Sequence, residues 1–201
     1  LISPLLARLA ELDYQQPTPI QAQSIPSILE GRDLIGGANT GSGKTATFAL
    51  PLLQQVSQKA VNAGKQGEGN FVSALVLVPT RELAKQVADS VRSYAVHFNG
   101  TIKTVAVFGG VSTNTQMLSL RGGSDILVTT PGRLLDLISN NAIKLDRVKT
   151  LVLDEADRML DMGFKDEIDQ ILSRLPSKRQ TLLFSATFDD AIFKLSKTLL
   201  N

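Results

Sequence analysis

Cysteine is absent from all 201 residues, which rules out a disulfide framework and any thiolate metal site and fits a reducing compartment. Tryptophan is absent too, and aromatic residues make up only 5% of the chain, so stacked aromatic platforms for bases are scarce. The single histidine, His97, stands beside Phe98 near a predicted helix end with no second ligand close by in sequence, and reads as a helix-terminal or surface residue. No apolar run approaches the roughly 20 residues that span a bilayer. The opening Leu1-Ile2-Ser3-Pro4 lacks the basic and apolar regions of a secretory leader. Cytoplasm is therefore the expected location. A formal charge of +2 is too small to announce nucleic-acid binding by itself, so any such site must be argued from local groups.

A hydrophobic content of 43% with eight Phe is enough to bury a full core as one domain. Apolar runs alternate with amphipathic stretches in a βαβ rhythm, which predicts an α/β fold with a mostly parallel sheet and helices on both faces. Strands are expected at 34–37, 74–78, 103–108, 126–129, 150–153 and 181–184, several as uninterrupted Val/Leu/Ile runs. The clearest helix is predicted from 81 to about 98, with Leu83, Val87, Val91 and Tyr94 facing the sheet. Residues 57–70, with Gly64, Gly67 and Gly69 beside Lys59, Lys65 and Glu68, read as a mobile surface loop. Met159, Leu160 and Met162 read as core or packing residues. The chain opens without methionine and stops after a helix-like segment, which suggests one domain, residues 1–201, cut from something longer.

The strongest chemical signal is Ala38-Asn39-Thr40-Gly41-Ser42-Gly43-Lys44-Thr45, between a short apolar strand and a helix. Glycines let the backbone curl so that successive N–H groups face phosphate oxygens, and the helix N-terminus adds partial positive charge. Lys44 can reach the β and γ phosphates, and Thr45 offers a hydroxyl to Mg²⁺. The general pattern has glycine where this chain has Ala38, and Pro51 is expected to break or kink the following helix. A second signal is Leu151-Val152-Leu153-Asp154-Glu155-Ala156-Asp157, an apolar strand that delivers carboxylates to its carboxyl end. There Asp154 would hold the Mg²⁺ shell and Glu155 would orient or deprotonate an attacking water, although such a cluster alone also suits a helix N-cap.

The run Asp154-Glu155-Ala156-Asp157 spells D-E-A-D, and essentially the whole chain resembles the first RecA-like domain of the DEAD-box RNA helicases. The resemblance implies a RecA-like P-loop NTPase fold, ATP and Mg²⁺ as cofactors, and RNA as substrate. Tyr14 with Gln16-Pro17-Thr18-Pro19-Ile20-Gln21 looks like the Q motif, where the final glutamine reads the adenine edge and the aromatic lies against the base. Asp13 stands where the family usually has glycine. Thr80 and Arg81, Gly109 and Gly110, and Thr130 and Arg133 fall in segments similar to the family's RNA-contacting motifs. Each follows a predicted strand and suits phosphate and sugar contacts without base readout. Ser185-Ala186-Thr187 resembles the motif that bonds to the last aspartate of the tetrad, here Asp157; it could equally cap a helix starting near Asp189. Phe108-Gly109-Gly110-Val111 and residues 158–164 look like the bacterial RhlE-like branch.

The family's second RecA-like domain, which supplies arginines to the γ-phosphate, has no motif here, so this chain is expected to bind nucleotide and hydrolyse it poorly. A DNA-directed relative, an ATP-gated RNA clamp or scaffold, and a metabolite kinase remain alternatives. Protein partners are not readable from the sequence.

Overall fold

The computed structural model describes residues 1–37, 41–62 and 69–199, with residues 59–62 described by backbone alone. Its elements run α1 (Ser3–Glu11), α2 (Pro19–Leu29), β1 (Leu34–Gly37), α3 (Lys44–Asn62), β2 (Val72–Leu77), α4 (Arg81–Tyr94), β3 (Thr104–Val107), α5 (Thr113–Ser119), β4 (Ser124–Thr129), α6 (Pro131–Ser139), β5 (Thr150–Leu153), α7 (Ala156–Asp161), α8 (Lys165–Leu172), β6 (Gln180–Ser185) and α9 (Asp190–Leu199). A helix separates every pair of consecutive strands, so each strand returns in the same direction, and the six form one parallel sheet in the order β1-β6-β5-β2-β4-β3.

Burial along the strands follows their place in that order. The interior strands β5 and β6 are buried at every position, whereas the edge strands β1 and β3 alternate. Alternate side chains divide between two cores. Leu75, Leu77, Leu151, Leu153 and Leu183 face Leu134 and Leu137 of α6, Ile168 and Ile171 of α8, and Ile192 and Leu195 of α9. Ala74, Val76, Val152, Leu182 and Phe184 face Ile28 of α2, Phe48, Leu52 and Leu53 of α3, and Val87 and Val91 of α4.

Four expectations change. Pro51 does not break α3, which runs on to Asn62. Pro51 removes one helical donor, but the buried face of Phe48, Leu52, Leu53 and Val56 holds the helix to the sheet. The loop expected from residue 57 is therefore helical at its start, and Gly64, Lys65, Gly67 and Glu68 lie outside the described residues. Helix α4 stops at Tyr94, and a separate 3₁₀ turn takes Val96–Phe98. Met159 is fully buried and Leu160 packs at the core margin, but Met162 is 49% exposed because it falls on the outer side as α7 ends.

The Phe184 ring packs tilted on Phe48 with centroids 5.6 Å apart, and it occupies the space above Gly36. A Cβ at Gly36 would lie 2.7 Å from that ring, so Gly36→Ala forces the ring or β1 to move. Urea unfolding should show Gly36→Ala less stable by about 1–3 kcal/mol, partly restored when Phe184→Leu is added. Strictly additive losses would mean the ring is not the obstacle.

Candidate functional site

Parallel strands place their carboxyl ends on one edge, so the motifs that follow strands converge there. The loop into α3 follows β1, the Asp154 tetrad follows β5, and the Ser185 turn follows β6, which lies between them. With one strand intervening, β1 and β5 are about 10 Å apart. Lys44, the first residue of α3, spans that gap: its Nζ lies 3.5 Å from Asp154 Oδ1. Both residues are buried, Lys44 at 7% exposure and Asp154 at 2%.

Asp154 Oδ1 accepts no hydrogen bond from a described residue, although no solvent reaches it. Burial pushes the Asp154 carboxyl above its ordinary pKa, the Lys44 charge opposes that shift, and Glu155 adds to it. Glu155 is in the left-handed region at φ 53° and is mostly shielded, with Arg158 Nη1 3.3 Å from its carboxylate. A shielded carboxylate oxygen without a donor, facing an ammonium, suits a hydrated cation or a bound donor. Among the described residues no cluster of three or more His, Asp or Glu side chains could hold a metal alone. Mg²⁺ commonly takes one or two protein oxygens and the oxygens of a phosphate ligand.

In the glycine-rich loop, Gly41 and Gly43 have φ of 84° and 90°, conformations that side chains disfavour. Thr40, with Ala38 and Asn39, lies outside the described residues. Ser42 and Thr45 are partly buried beside Lys44. Gly43 is also pressed by Gln21: a Cβ there would meet Gln21 Nε2 at 2.5 Å. Gln21 is buried, accepts from the Thr18 backbone N–H at 3.0 Å and donates to the Gly43 carbonyl at 3.2 Å. It thereby satisfies the N-cap amide of α2, the glutamine half of a capping box, and ties that helix to the loop. Gln16 is exposed. Tyr14 is 43% exposed, and its hydroxyl meets that of Tyr94, at the far end of α4, at 2.9 Å. Burial holds the Tyr94 hydroxyl's pKa above its usual value. Asp13 takes φ 58°, a left-handed conformation that glycine adopts most easily.

Asp157 joins β5 to β6. Its Oδ2 accepts from Ala186 N at 3.1 Å, Thr187 N at 3.1 Å and Thr187 Oγ1 at 3.3 Å. Ser185 does not join this knot; its buried hydroxyl donates to the Thr187 carbonyl at 2.7 Å. The helix-capping alternative for this turn moves to Asp189, whose Oδ1 accepts from Ile192 N at 2.9 Å at the start of α9.

The remaining motifs meet at the ends of β2, β3 and β4. Thr80 caps α4 by accepting from Leu83 N at 3.3 Å, while exposed Arg81 pairs with Glu82 at 2.6 Å. The Arg81 guanidinium lies 3.3 Å from where a Cβ on Gly110 would stand, and Gly110 has φ 80°. Around Gly109 there is open space. Thr130 precedes α6 as its N-cap residue with no side-chain cap bond. Arg133 donates to Thr113 Oγ1 at 2.6 Å and to the Val111 carbonyl at 3.1 Å. These two acceptors escaped the sequence reading, since only the pairing of β3 with β4 brings their loop to Arg133. His97 is a surface residue of the 3₁₀ turn, 2.8 Å from Glu11 Oε1 and tying α1 to it.

Removing Lys44 tests the electrostatics directly. In Lys44→Ala the charge that opposes burial is lost, so NMR titration of the Asp154 carboxyl carbon should show its pKa moving further up. Because the folded value lies above the ordinary 3.8, the native state binds the extra proton, and this group's contribution to stability falls as pH rises from 3.8 through the folded value. The variant extends that window upward. An unmoved titration would mean the ammonium does not act on Asp154.

The DEAD/DEAH box helicase family profile matches residues 18–195. The ATP-dependent RNA helicase CshA of Listeria monocytogenes is 47% identical over 186 residues, covering 92% of this chain and 34% of that protein. ATP-dependent RNA helicase DeaD of Escherichia coli K12 is 45% identical over 197 residues, covering 98% of this chain and 30% of that protein. A crystal structure of a DEAD box protein from Methanococcus jannaschii superposes with a TM-score of 0.88 at 36% identity, covering 100% of this chain and 52% of its own. The chain thus spans about a third of the length of these curated relatives. Profile, relatives and fold agree, and the chain belongs to the DEAD/DEAH box helicase family.

Proposed function

We propose that this chain binds ATP with Mg²⁺ and that the protein carrying it couples ATP hydrolysis to gripping and locally unwinding RNA. The observation that carries this reading is the buried Lys44–Asp154 pair at 3.5 Å, with an Asp154 oxygen that accepts no hydrogen bond from the described residues. Lys44 and the backbone N–H groups of Gly41, Ser42 and Gly43 receive the phosphates, and Thr45 and Asp154 hold Mg²⁺, directly or through water. When bound, Mg²⁺ neutralises charge on the transferred phosphoryl group. Glu155 orients the attacking water and accepts its proton as the γ-phosphate bond to ADP breaks.

Gln21 supplies base selectivity. Its amide can present a donor and an acceptor to an adenine edge, in exchange for its present partners at Thr18 and Gly43. Tyr14 flanks the base, and Gln16 lies in the same approach. Thr80, Arg81, Gly109, Gly110, Thr130 and Arg133 hold the RNA backbone, with low sequence specificity because none of them reads a base edge. Asp157 passes nucleotide state to the Ser185–Thr187 turn, and a second RecA-like domain closes on ATP and RNA together. No helix among the described residues is long and apolar enough to cross a membrane, and a cysteine-free chain suits our placement in the cytoplasm.

Calorimetric titration with ADP and GDP in Mg²⁺ tests this. ADP should bind, Lys44→Ala should abolish binding, Gln21→Ala should weaken it about tenfold, and GDP should stay silent, since a wrong base edge leaves several buried donors or acceptors unmet at about 1–3 kcal/mol each. Equal ADP and GDP binding would remove the adenine-reading role. Without arginines from a second domain, this chain alone should hydrolyse ATP about 10³ to 10⁵ more slowly than the complete enzyme.

A further inference from the structure

A groove of about 330 Å³ lies between α5 and the carboxyl end of α6, outside the nucleotide site. Its walls carry Asn114, Met117, Leu118 and Arg121 on one side and Asn140 and Asn141 on the other. Asn114, Leu118 and Arg121 recur at helical spacing, so one face of α5 and its following turn looks into the groove. Leu118 is 55% exposed, an apolar side chain of this size left open to solvent. The floor is braced by Asn70, which donates to the Ala142 carbonyl at 3.0 Å and accepts from Gly122 N at 2.9 Å.

Cations crowd the amino edge beside it. Lys103 donates to the Arg121 carbonyl at 2.7 Å, and the Arg147 guanidinium lies 3.6 Å above the Phe71 ring with Lys144 on the same ring at 5.7 Å. Among the described residues Lys103, Arg121, Lys144 and Arg147 form no ion pair. Asp125, whose Oδ2 accepts from Lys103 N at 2.7 Å, and Asp146, next to Arg147 in sequence, offset part of this charge, and four cations against two carboxylates leave this edge locally positive on a chain of net charge +2.

The groove also begins next to the proposed RNA grip. Arg133 bonds Thr113, and Thr113 precedes Asn114 at the start of α5. Helix α5 covers about 10 Å, a distance that about three stacked nucleotides cross at roughly 3.4 Å each. We propose that this groove seats a base of single-stranded RNA continuing from the carboxyl edge, with its phosphates on Arg121, Lys103 and Lys144. The last turns of α5 and α6 border the groove, and the partial negative charge at helix carboxyl ends disfavours a phosphate inside it. Asparagine amides supply both donors and acceptors to a base edge, and Leu118 and Met117 supply an apolar surface for its face. An acidic peptide would have to place carboxylates among those carbonyl ends. This inference rests on the RNA reading above.

NMR titration of the chain with pentauridylate and decauridylate separates the two. Both RNAs should move the Thr80, Gly110 and Thr130 amides, and only the longer should also move Asn114, Leu118, Arg121 and Asn141, binding about tenfold tighter with a salt slope steeper by roughly 0.7 per added phosphate contact. The gain should vanish in Leu118→Asp and in Arg121→Glu, both exposed positions. Equal affinities, or a gain that survives both variants, overturns the groove and leaves the RNA reading standing. Absence of shifts with either RNA overturns both readings, and polyglutamate producing the groove shifts in their place overturns RNA as the occupant.

Discussion

Two opposite charges lie 3.5 Å apart with almost no access to solvent, and much of this structure follows from holding them there. Taking an ammonium and a carboxylate out of water costs several kcal/mol per ion, which their attraction repays only with good geometry and further hydrogen bonds. Here the repayment is incomplete. Asp154 Oδ1 accepts no hydrogen bond from a described residue, and burial drives the group toward its protonated form. The pair is therefore a load on the fold rather than a support. It is borne by a sheet whose interior strands are buried on both faces, with a separate apolar core on each side. Strand order sets the geometry, since with β6 between β1 and β5 a lysine starting α3 can lie over the intervening strand and meet Asp154.

From that pair, polar contacts run outward in both directions. Toward β6, Asp157 holds two backbone N–H groups and one hydroxyl of the following turn. Toward β2, Asp154 N donates to the Leu77 carbonyl at 3.0 Å, and Val78 N donates to Thr129 at 3.0 Å. The first of these ladder bonds fixes Asp154 against the strand that leads into Thr80 and Arg81, and the second fixes that strand against the one that leads into Thr130 and Arg133. The Arg81–Gly110 approach and the Arg133 bonds to Thr113 and Val111 extend the chain of contacts across the edge. A shift of Asp154 has a short, rigid route to each strand-binding candidate.

The interior strand β5 was legible because burial on both faces leaves an unbroken apolar run, and the bounds 150–153 coincide with it, as 34–37 do with the edge strand β1. Lys44 and Asp154 stood out because a phosphate-binding lysine and a metal-binding carboxylate suit the ends of such runs, whereas the Asp157 contact with the following turn was expected only from the family resemblance. What stayed hidden depended on packing. Pro51 carries a real local penalty, but the burial of Phe48, Leu52 and Leu53 outweighs it. Met162 and Met159 have similar propensities, and only the direction in which α7 ends separates the exposed side chain from the buried one. Capping by Asp189 rather than by the Ser185 turn was a choice among neighbouring oxygens that sequence leaves degenerate. The order of the strands, which brings Lys44 to Asp154, has no local signature at all.

Gln21 shows how the fold can convert a modest contact into selectivity. Both ends of its amide are already satisfied, by Thr18 N and by the Gly43 carbonyl. On the proposed reading, adenine gains little from replacing those partners, since exchanging one hydrogen bond for another is worth only about 1 kcal/mol. A base with the wrong edge fares worse, because it must displace the same partners and then leave buried donors or acceptors unmet, at about 1–3 kcal/mol for each. Affinity is thus left to the phosphates, where Lys44 and the helix terminus act on charge, and discrimination is left to the glutamine. The same displacement removes one of the three hydrogen bonds accepted by the Gly43 carbonyl, the other two coming from Thr47, so base recognition touches the peptide immediately before Lys44.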